Sequence, residues 1–207
     1  MKKRDPEKDT YITCLMPEPS LSQAFNAVAK HAPPGGRTVR PEDFHITLNE
    51  IQIPRKSSMK KLLKRIEKVS FPAFDIKFTD VDSFLYTKNG RLKNRFSHVA
   101  WLRPDGKSSF DVQALHEKLY EALLPEGFVF EDPDMRPHMT CLYYDEDKDS
   151  QALKKFFEEC STLNMPTWRC DKIYLTKKKR LSDPTHPDNN DGKGSRYEIV
   201  ASFDLKN

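Results

Sequence analysis

The segments Phe44-His45-Ile46-Thr47-Leu48 and Pro137-His138-Met139-Thr140-Cys141 each carry a His-x-Thr triplet within a short apolar run. Successive side chains of a β-strand point to opposite faces of the sheet. The histidine and the threonine of each triplet therefore share one face, and their apolar neighbours share the other. Each strand can bury its apolar face in a core and still present an imidazole and a hydroxyl to a cleft.

The sequence around the two triplets is duplicated. Both halves are predicted to run strand, helix, His-x-Thr strand, helix, strand, beginning at 11–16 and at 97–102. One triplet alone would be weak evidence, because a single strand histidine usually has a structural role. The duplication predicts two lobes related by a pseudo-twofold axis, with both triplets meeting across a central groove.

Apolar spacing predicts the helices between these strands. The clearest stripe lies in the second half, where Ser108 or Ser109 is the predicted N-cap. The stripe consists of four aliphatic residues at helical spacing: Val112, Leu115, Leu119 and Leu123. His116 lies on the same helix, while His31 and His186 lie in proline-rich segments, and all three are predicted to be surface residues.

Length and composition predict one domain. The 207 residues contain no Gly/Ser linker, so we expect a single bilobal domain over 10–207 and a disordered polar tail over 1–9. No apolar run reaches transmembrane length and no signal peptide is recognisable, so no membrane partner is expected. The net charge of +4 is modest and favours a short oligonucleotide or a nucleotide as ligand over broad, nonspecific RNA binding.

The cysteines and histidines show no metal-ligand spacing. Cys14, Cys141, Cys160 and Cys170 are predicted to be reduced, buried thiols in a cytoplasmic or possibly nuclear monomer. No His, Asp or Glu cluster flanks either triplet, so neither a metal nor another cofactor is expected.

With these paired motifs, the chain resembles the two-histidine (2H) phosphoesterase superfamily, in particular the LigT-like RNA 2′,3′-cyclic phosphodiesterases, also called 2′-5′ RNA ligases. The matching residues are 44–48 and 136–140, in the same order of elements. The resemblance implies an α+β fold in which two antiparallel sheets flank a central cleft, with helices outside. The sequence departs from the family at Asn49-Glu50 and at Leu142-Tyr143-Tyr144, which follow the two motifs.

The resemblance implies a metal-independent phosphodiesterase with His45, Thr47, His138 and Thr140 as its catalytic residues. One histidine acts as the base and the other as the acid, and both threonines donate hydrogen bonds to the phosphoryl group. By analogy His138 is the base and His45 the acid, although the sequence leaves the reverse open.

The expected substrate is a 2′,3′-cyclic phosphate end of RNA or of a nucleotide. The alternatives are a 2′-5′ linked oligoadenylate or related signalling oligonucleotide, and a nucleotide-binding module without turnover. Among substrate contacts we expect Tyr143 and the basic residues Arg91, Lys93 and Arg95 of a predicted hairpin tip. The alternative for the tip is a merely solvated charged turn.

Overall fold

The computed structural model describes residues 9–53, 58–85, 98–130, 135–144, 150–180, 182–189 and 195–206. The first half consists of β1 (Thr10–Leu15), α1 (Pro19–Phe25), β2 (Arg37–Thr38), β3 (Ile46–Gln52), α2 (Met59–Glu67), β4 (Phe74–Ile76) and β5 (Phe78–Leu85). The second half repeats this order in β6 (His98–Pro104), α3 (Gly106–Leu123), β7 (Val129–Phe130), β8 (Met139–Tyr144), α4 (Ser150–Ser161), β9 (Trp168–Cys170) and β10 (Lys172–Lys178), and then adds β11 (Tyr197–Asp204).

The strand order shows that the two halves exchange strands. Nine strands pair in an antiparallel sheet of order β11-β10-β1-β3-β8-β6-β5, with β7 beside β3 and β2 beside β8. The last strand of the first repeat, β5, joins β6 and β8 of the second half. Its counterpart β10 joins β1 and β3 of the first. This reciprocal exchange gives two lobes with pseudo-twofold symmetry and confirms the predicted α+β fold with antiparallel sheets.

The lobes meet where corresponding strands pair with each other. β3 and β8 pair at Ile46 and Met139, the central residues of the two His-x-Thr triplets. β4 and β9 pair along three residues as a second small sheet. The pseudo-twofold axis therefore runs between the two triplets, and the fold brings them together from positions far apart in the sequence.

The helices cover the apolar side of the sheet. The predicted stripe of α3 is completely buried, and this helix packs on β3. Burial of each such aliphatic side chain contributes about 1.5–3 kcal/mol. The predicted N-cap of α3 was wrong: the helix begins at Gly106, and the N-cap residue Asp105 accepts a hydrogen bond from the Ser108 N–H at 2.7 Å. A carboxylate three residues earlier thus takes the capping role assigned to the serine.

Two smaller expectations concern the cysteines and the N-terminal tail. The four cysteines are free and buried, as predicted. Residues 1–8 of the predicted tail lie outside the described residues, and the Asp9 carboxylate contacts Lys177 at 2.9 Å and Arg180 at 3.1 Å. Among the described residues, no helix is both long and apolar enough to span a bilayer.

Candidate active site

The four predicted catalytic side chains lie together in one cleft between the lobes. His45 and His138 immediately precede β3 and β8, and Thr47 and Thr140 follow two residues later. All four line a cavity of about 490 Å³, whereas the intervening Ile46 and Met139 are fully buried. The alternation predicted from the sequence holds in both strands. Their catalytic role remains a prediction at this point.

Both imidazoles are anchored in the same way. Nδ1 of His45 lies 2.7 Å from the Asp43 carbonyl oxygen, and Nδ1 of His138 lies 2.6 Å from the Arg136 carbonyl oxygen. A carbonyl only accepts hydrogen bonds, so each Nδ1 carries the proton and donates it. This fixes the tautomer, with the proton on Nδ1 and the lone pair on Nε2 of each neutral ring.

Burial lowers the pKa of both histidines below the ordinary value for imidazole. For His45, desolvation is the main cause, and the positive charges of protonated His138 and of Lys178 act in the same direction, against the Asp43 hydrogen bond and charge. For His138, desolvation again leads, and the Arg136 charge adds to it. Protonation of one ring therefore opposes protonation of the other, as an acid–base pair requires.

A β-bulge follows each triplet. The β1–β3 register skips Leu48, and the β6–β8 register skips Cys141, the corresponding residue of the second half. A bulge inserts one extra residue and so changes which side chains face each side. As a result Glu50 and Tyr143, each five residues after a histidine, line the cleft with the histidines and threonines of the two triplets. Tyr143 was predicted from the sequence and Glu50 was not.

The carbonyl of each bulge residue has a specific donor. The Leu48 carbonyl accepts a hydrogen bond of 2.6 Å from Nδ1 of His116 on α3, and the Cys141 carbonyl accepts one of 2.9 Å from the Val39 N–H. The prediction of His116 and His186 as surface residues was wrong, because both are about 95% buried. For His116 the bulge explains the burial, since its ring reaches inward to donate to the carbonyl of the bulge residue Leu48.

Asp43 connects the first His-x-Thr strand to the last strand of the sheet. Its carboxylate is buried and accepts hydrogen bonds from Ser195 Oγ at 2.7 Å, the Arg196 N–H at 2.8 Å and Arg40 Nη2 at 2.9 Å. Two strands separate β11 from β3 in the sheet, so these bonds require the sheet to curl back on itself. Asp43 thus holds the start of β11 beside His45.

An aromatic ring packs edge-on against each histidine. Tyr197, the first residue of β11, contacts His45 with 4.7 Å between ring centroids and 68° between planes. Trp101 on β6 contacts His138 at 5.8 Å and 71°. These rings restrict the orientation of both imidazoles from the side. Tyr197 depends on the Asp43 contacts for its position, whereas Trp101 sits on the neighbouring strand of its own lobe.

The cleft carries more basic than acidic side chains. Its basic lining residues are Arg37, Arg40, Arg136, Lys178 and Arg196, and its acidic ones are Asp43, Glu50 and Asp188. The predicted contacts Arg91, Lys93 and Arg95 lie outside the described residues. Sequence reasoning missed Arg37 and Asp43, because nothing in their local pattern distinguishes them from surface charges. Within the described ranges, no three His, Cys, Asp or Glu side chains lie close enough to hold a metal ion.

The sequence matches the 2′-5′ RNA ligase superfamily over residues 17–181, which includes both triplets. The chain belongs to this superfamily. That membership confirms the resemblance predicted from the paired motifs. No curated protein matches the sequence significantly.

Several solved structures share the fold of this chain at low sequence identity. Escherichia coli LigT complexed with 3′-AMP is 17% identical with a TM-score of 0.67, and the alignment covers 97% of this chain and 100% of LigT. TT0787 of Thermus thermophilus is 14% identical with a TM-score of 0.65, covering 96% of this chain and 98% of TT0787. A further structure described as a phosphoesterase is 17% identical with a TM-score of 0.62, covering 97% of this chain and 100% of that one. At these identities the likeness establishes the fold.

Proposed function

We propose that this superfamily member is a phosphodiesterase that works without a metal, with His45 and His138 as its acid–base pair. One observation carries the proposal: two imidazoles with the same fixed tautomer share a cleft with two threonines. A purely structural histidine needs no such partner, and a simple nucleotide-binding module needs no matched acid and base. An enzyme is therefore favoured over a binder.

The proposed reaction is an in-line displacement at phosphorus. The neutral histidine takes a proton from water at Nε2, and the water oxygen forms a bond to phosphorus. The bond from phosphorus to a ribose oxygen breaks, and the protonated histidine gives its Nε2 proton to that oxygen. Thr47 and Thr140 donate hydrogen bonds to the non-bridging oxygens as their charge increases. Each proton-transfer partner contributes about 10²–10⁴-fold to the rate.

The proposed substrate is the 2′,3′-cyclic phosphate of an RNA end or of a nucleotide. The complex of E. coli LigT with 3′-AMP supports a nucleotide ligand. A 2′-5′ linked oligoadenylate, or a related signalling oligonucleotide, is the second candidate, since it also presents a phosphodiester on a ribose 2′ oxygen. Tyr143 is proposed to contact the nucleoside, and Arg91, Lys93 and Arg95 are proposed to contact outer phosphates.

We also propose that the chain acts as a monomer in the cytoplasm or nucleus. The four buried free thiols are consistent with a reducing compartment. The basic cleft lining suits an anionic substrate that is small enough to enter a cavity of this size.

A substrate panel tests the proposal. Purified protein is assayed in EDTA on adenosine 2′,3′-cyclic phosphate, on a 2′-5′ linked diadenylate and on its 3′-5′ linked isomer. We expect turnover of the cyclic phosphate, and of the 2′-5′ compound if the second candidate also holds, but not of the 3′-5′ isomer. The variant carrying both His45→Ala and His138→Ala serves as the contamination control.

Absence of turnover on the whole panel would leave the binding module as the better account. Activity that disappears with EDTA and returns with a divalent ion would overturn the metal-independent mechanism. Equal activity in the double variant would show that the two histidines are not the catalytic groups.

A further inference from the structure

Two arginines from opposite lobes line the same cleft as the histidines. Arg37 lies on β2, which pairs with β8 of the second lobe. Arg196 immediately precedes β11, which belongs to the sheet of the first lobe. The two side chains therefore reach the cleft from its two walls. Neither belongs to a His-x-Thr motif.

The position of Arg37 is set by Tyr143. The two residues are paired across β2 and β8, and the guanidinium carbon lies 5.2 Å from the centre of the tyrosine ring. A guanidinium over an aromatic face is held by a cation–π interaction. Burial lowers the pKa of Arg37, and the positive charge of Arg196, which lines the same cleft, lowers it further.

The position of Arg196 is set at both its backbone and its side chain. Its N–H donates to the buried Asp43 carboxylate at 2.8 Å, and its Nη2 lies 3.3 Å from Asp188 Oδ1. The N–H of Asp188 donates in turn to Nδ1 of His186 at 3.2 Å. Arg196 is about one-quarter exposed and faces the cleft from a supported position. Both arginines are thus partly immobilised before any ligand binds.

We propose that Arg37 and Arg196 form a second phosphate subsite beside the catalytic phosphate position. A phosphate between the two guanidinium groups would relieve their repulsion and accept their paired N–H donors. The substrate class is then a nucleotide with at least two phosphate groups, such as a 5′-phosphorylated cyclic nucleotide or an oligonucleotide end. This inference rests on the proposed function, because it assigns the catalytic phosphate to the histidines.

Equilibrium binding of product-like nucleotides tests the subsite without any turnover. Adenosine 3′,5′-bisphosphate and adenosine 3′-monophosphate differ by one phosphate and are compared by calorimetry with the full chain. We expect the bisphosphate to bind about tenfold more tightly, the size of effect typical of a charge-assisted contact. The ratio of the two affinities should fall to near one in Arg37→Gln and in Arg196→Gln. Arg169→Gln, which removes an arginine of β9 paired with Asp75, should keep the wild-type ratio.

A bisphosphate that binds no more tightly than the monophosphate would overturn the subsite, as would a ratio that survives in either cleft variant. A ratio lost equally in Arg169→Gln would show general charge attraction and would also overturn it. The proposed function fails differently, through absence of turnover on the substrate panel. If the wild-type protein binds the bisphosphate more tightly but turns over no substrate of the panel, the subsite is supported and the proposed enzymatic function is contradicted.

Discussion

The two His-x-Thr strands have nearly the same backbone and different surroundings. In both halves the histidine Nδ1 donates to the carbonyl two residues earlier, and a one-residue bulge follows the threonine. The first triplet, however, is enclosed by Tyr197 and the Asp43 contacts, and the second by Trp101 and Arg136. The duplicated fold thus supplies two equivalent imidazoles. Only the side chains around them, which differ between the two halves, can give them separate roles.

The charges around the two rings differ. Desolvation is the main cause that lowers the pKa of both histidines. At His45 the charges of His138 and Lys178 also oppose protonation, while the Asp43 hydrogen bond and charge favour it. At His138 the Arg136 charge opposes protonation, while the hydrogen bond to the Arg136 carbonyl favours it. Repulsion between the rings acts on both alike, and the family resemblance implies His138 as the base and His45 as the acid, which is the assignment to test.

The largest expected effect comes from comparing two leaving groups, because only one of them needs the acid. A nitrophenolate departs without protonation, so a nitrophenyl phosphodiester needs the base but not the acid. If His138 is the base, as the family resemblance implies, His138→Ala should lower kcat/KM about 10²-fold or more on both this ester and a ribose-leaving substrate. His45→Ala should then lose that much only on the ribose substrate and retain most activity on the nitrophenyl ester. Steady-state kcat/KM for each variant and substrate gives the comparison.

The pH profile of the wild-type protein provides an internal control. On the nitrophenyl ester only the base must be neutral, so kcat/KM should rise with pH and then level off. The rise should lie below pH ~6.5, because desolvation lowers the pKa of both rings. On the ribose substrate the acid must also be protonated, and the profile should be bell-shaped. The opposite pattern of variants would make His45 the base and His138 the acid.

A smaller effect is expected where the first half depends on the last strand. Asp43→Ala removes the acceptor of Ser195, Arg196 and Arg40 and should lower the free energy of unfolding by about 1–3 kcal/mol. Because Tyr197 and Arg196 then lose their support, kcat should fall about tenfold and the bisphosphate preference should weaken. Asp43→Asn keeps an amide oxygen for Ser195 and Arg196 and should restore most of both properties.

Glu42→Ala is the matched control for this prediction. Glu42 precedes Asp43 but is exposed, and it lies 3.8 Å from Arg40 without contacting the last strand. Its loss should leave kcat within about twofold of wild type, as is usual for exposed ion pairs. If Asp43→Ala changes stability alone, the aspartate only closes the curled sheet and does not position the catalytic groups.

Much of this organisation could be predicted because it follows from residue periodicity. Alternation placed His45 and Thr47 opposite the buried Ile46, and the helical stripe of α3 was buried as expected. The repeated order of elements predicted two lobes and their meeting point. These patterns depend on neighbours in the sequence, and the sequence displays them directly.

The unpredicted features depend on contacts between distant segments. The bulges at Leu48 and Cys141 have no residue signature, yet they bring Glu50 into the cleft. Asp43 meets Ser195 and Arg196 across more than 150 positions, and only the curl of the sheet makes that contact possible. The exchange of β5 and β10 is likewise a property of the whole fold. Local patterns therefore indicated the four residues proposed as catalytic, but not the surrounding side chains that differ between the two triplets.

The smallest expected effect tests the difference between the two bulges. The Cys141 carbonyl receives a backbone donor, the Val39 N–H, which every substitution of Val39 except proline retains. The Leu48 carbonyl instead accepts from the side chain of His116, so replacing His116 removes the donor itself. His116→Ala should cost about 1–3 kcal/mol of stability, because it leaves a buried carbonyl without this donor.

The effect of His116→Ala on catalysis should be only a few-fold, since Glu50 and Thr47 shift slightly while both imidazoles keep their own anchors. His116→Asn places an amide N–H near the position of Nδ1 and should recover most of the lost stability, as measured by urea unfolding. His31→Ala, which removes a half-buried histidine bound to Glu159, is the control for loss of an imidazole elsewhere. If His116→Asn is no better than His116→Ala, the ring acts by filling space, and its hydrogen bond to the Leu48 carbonyl adds little to the first bulge.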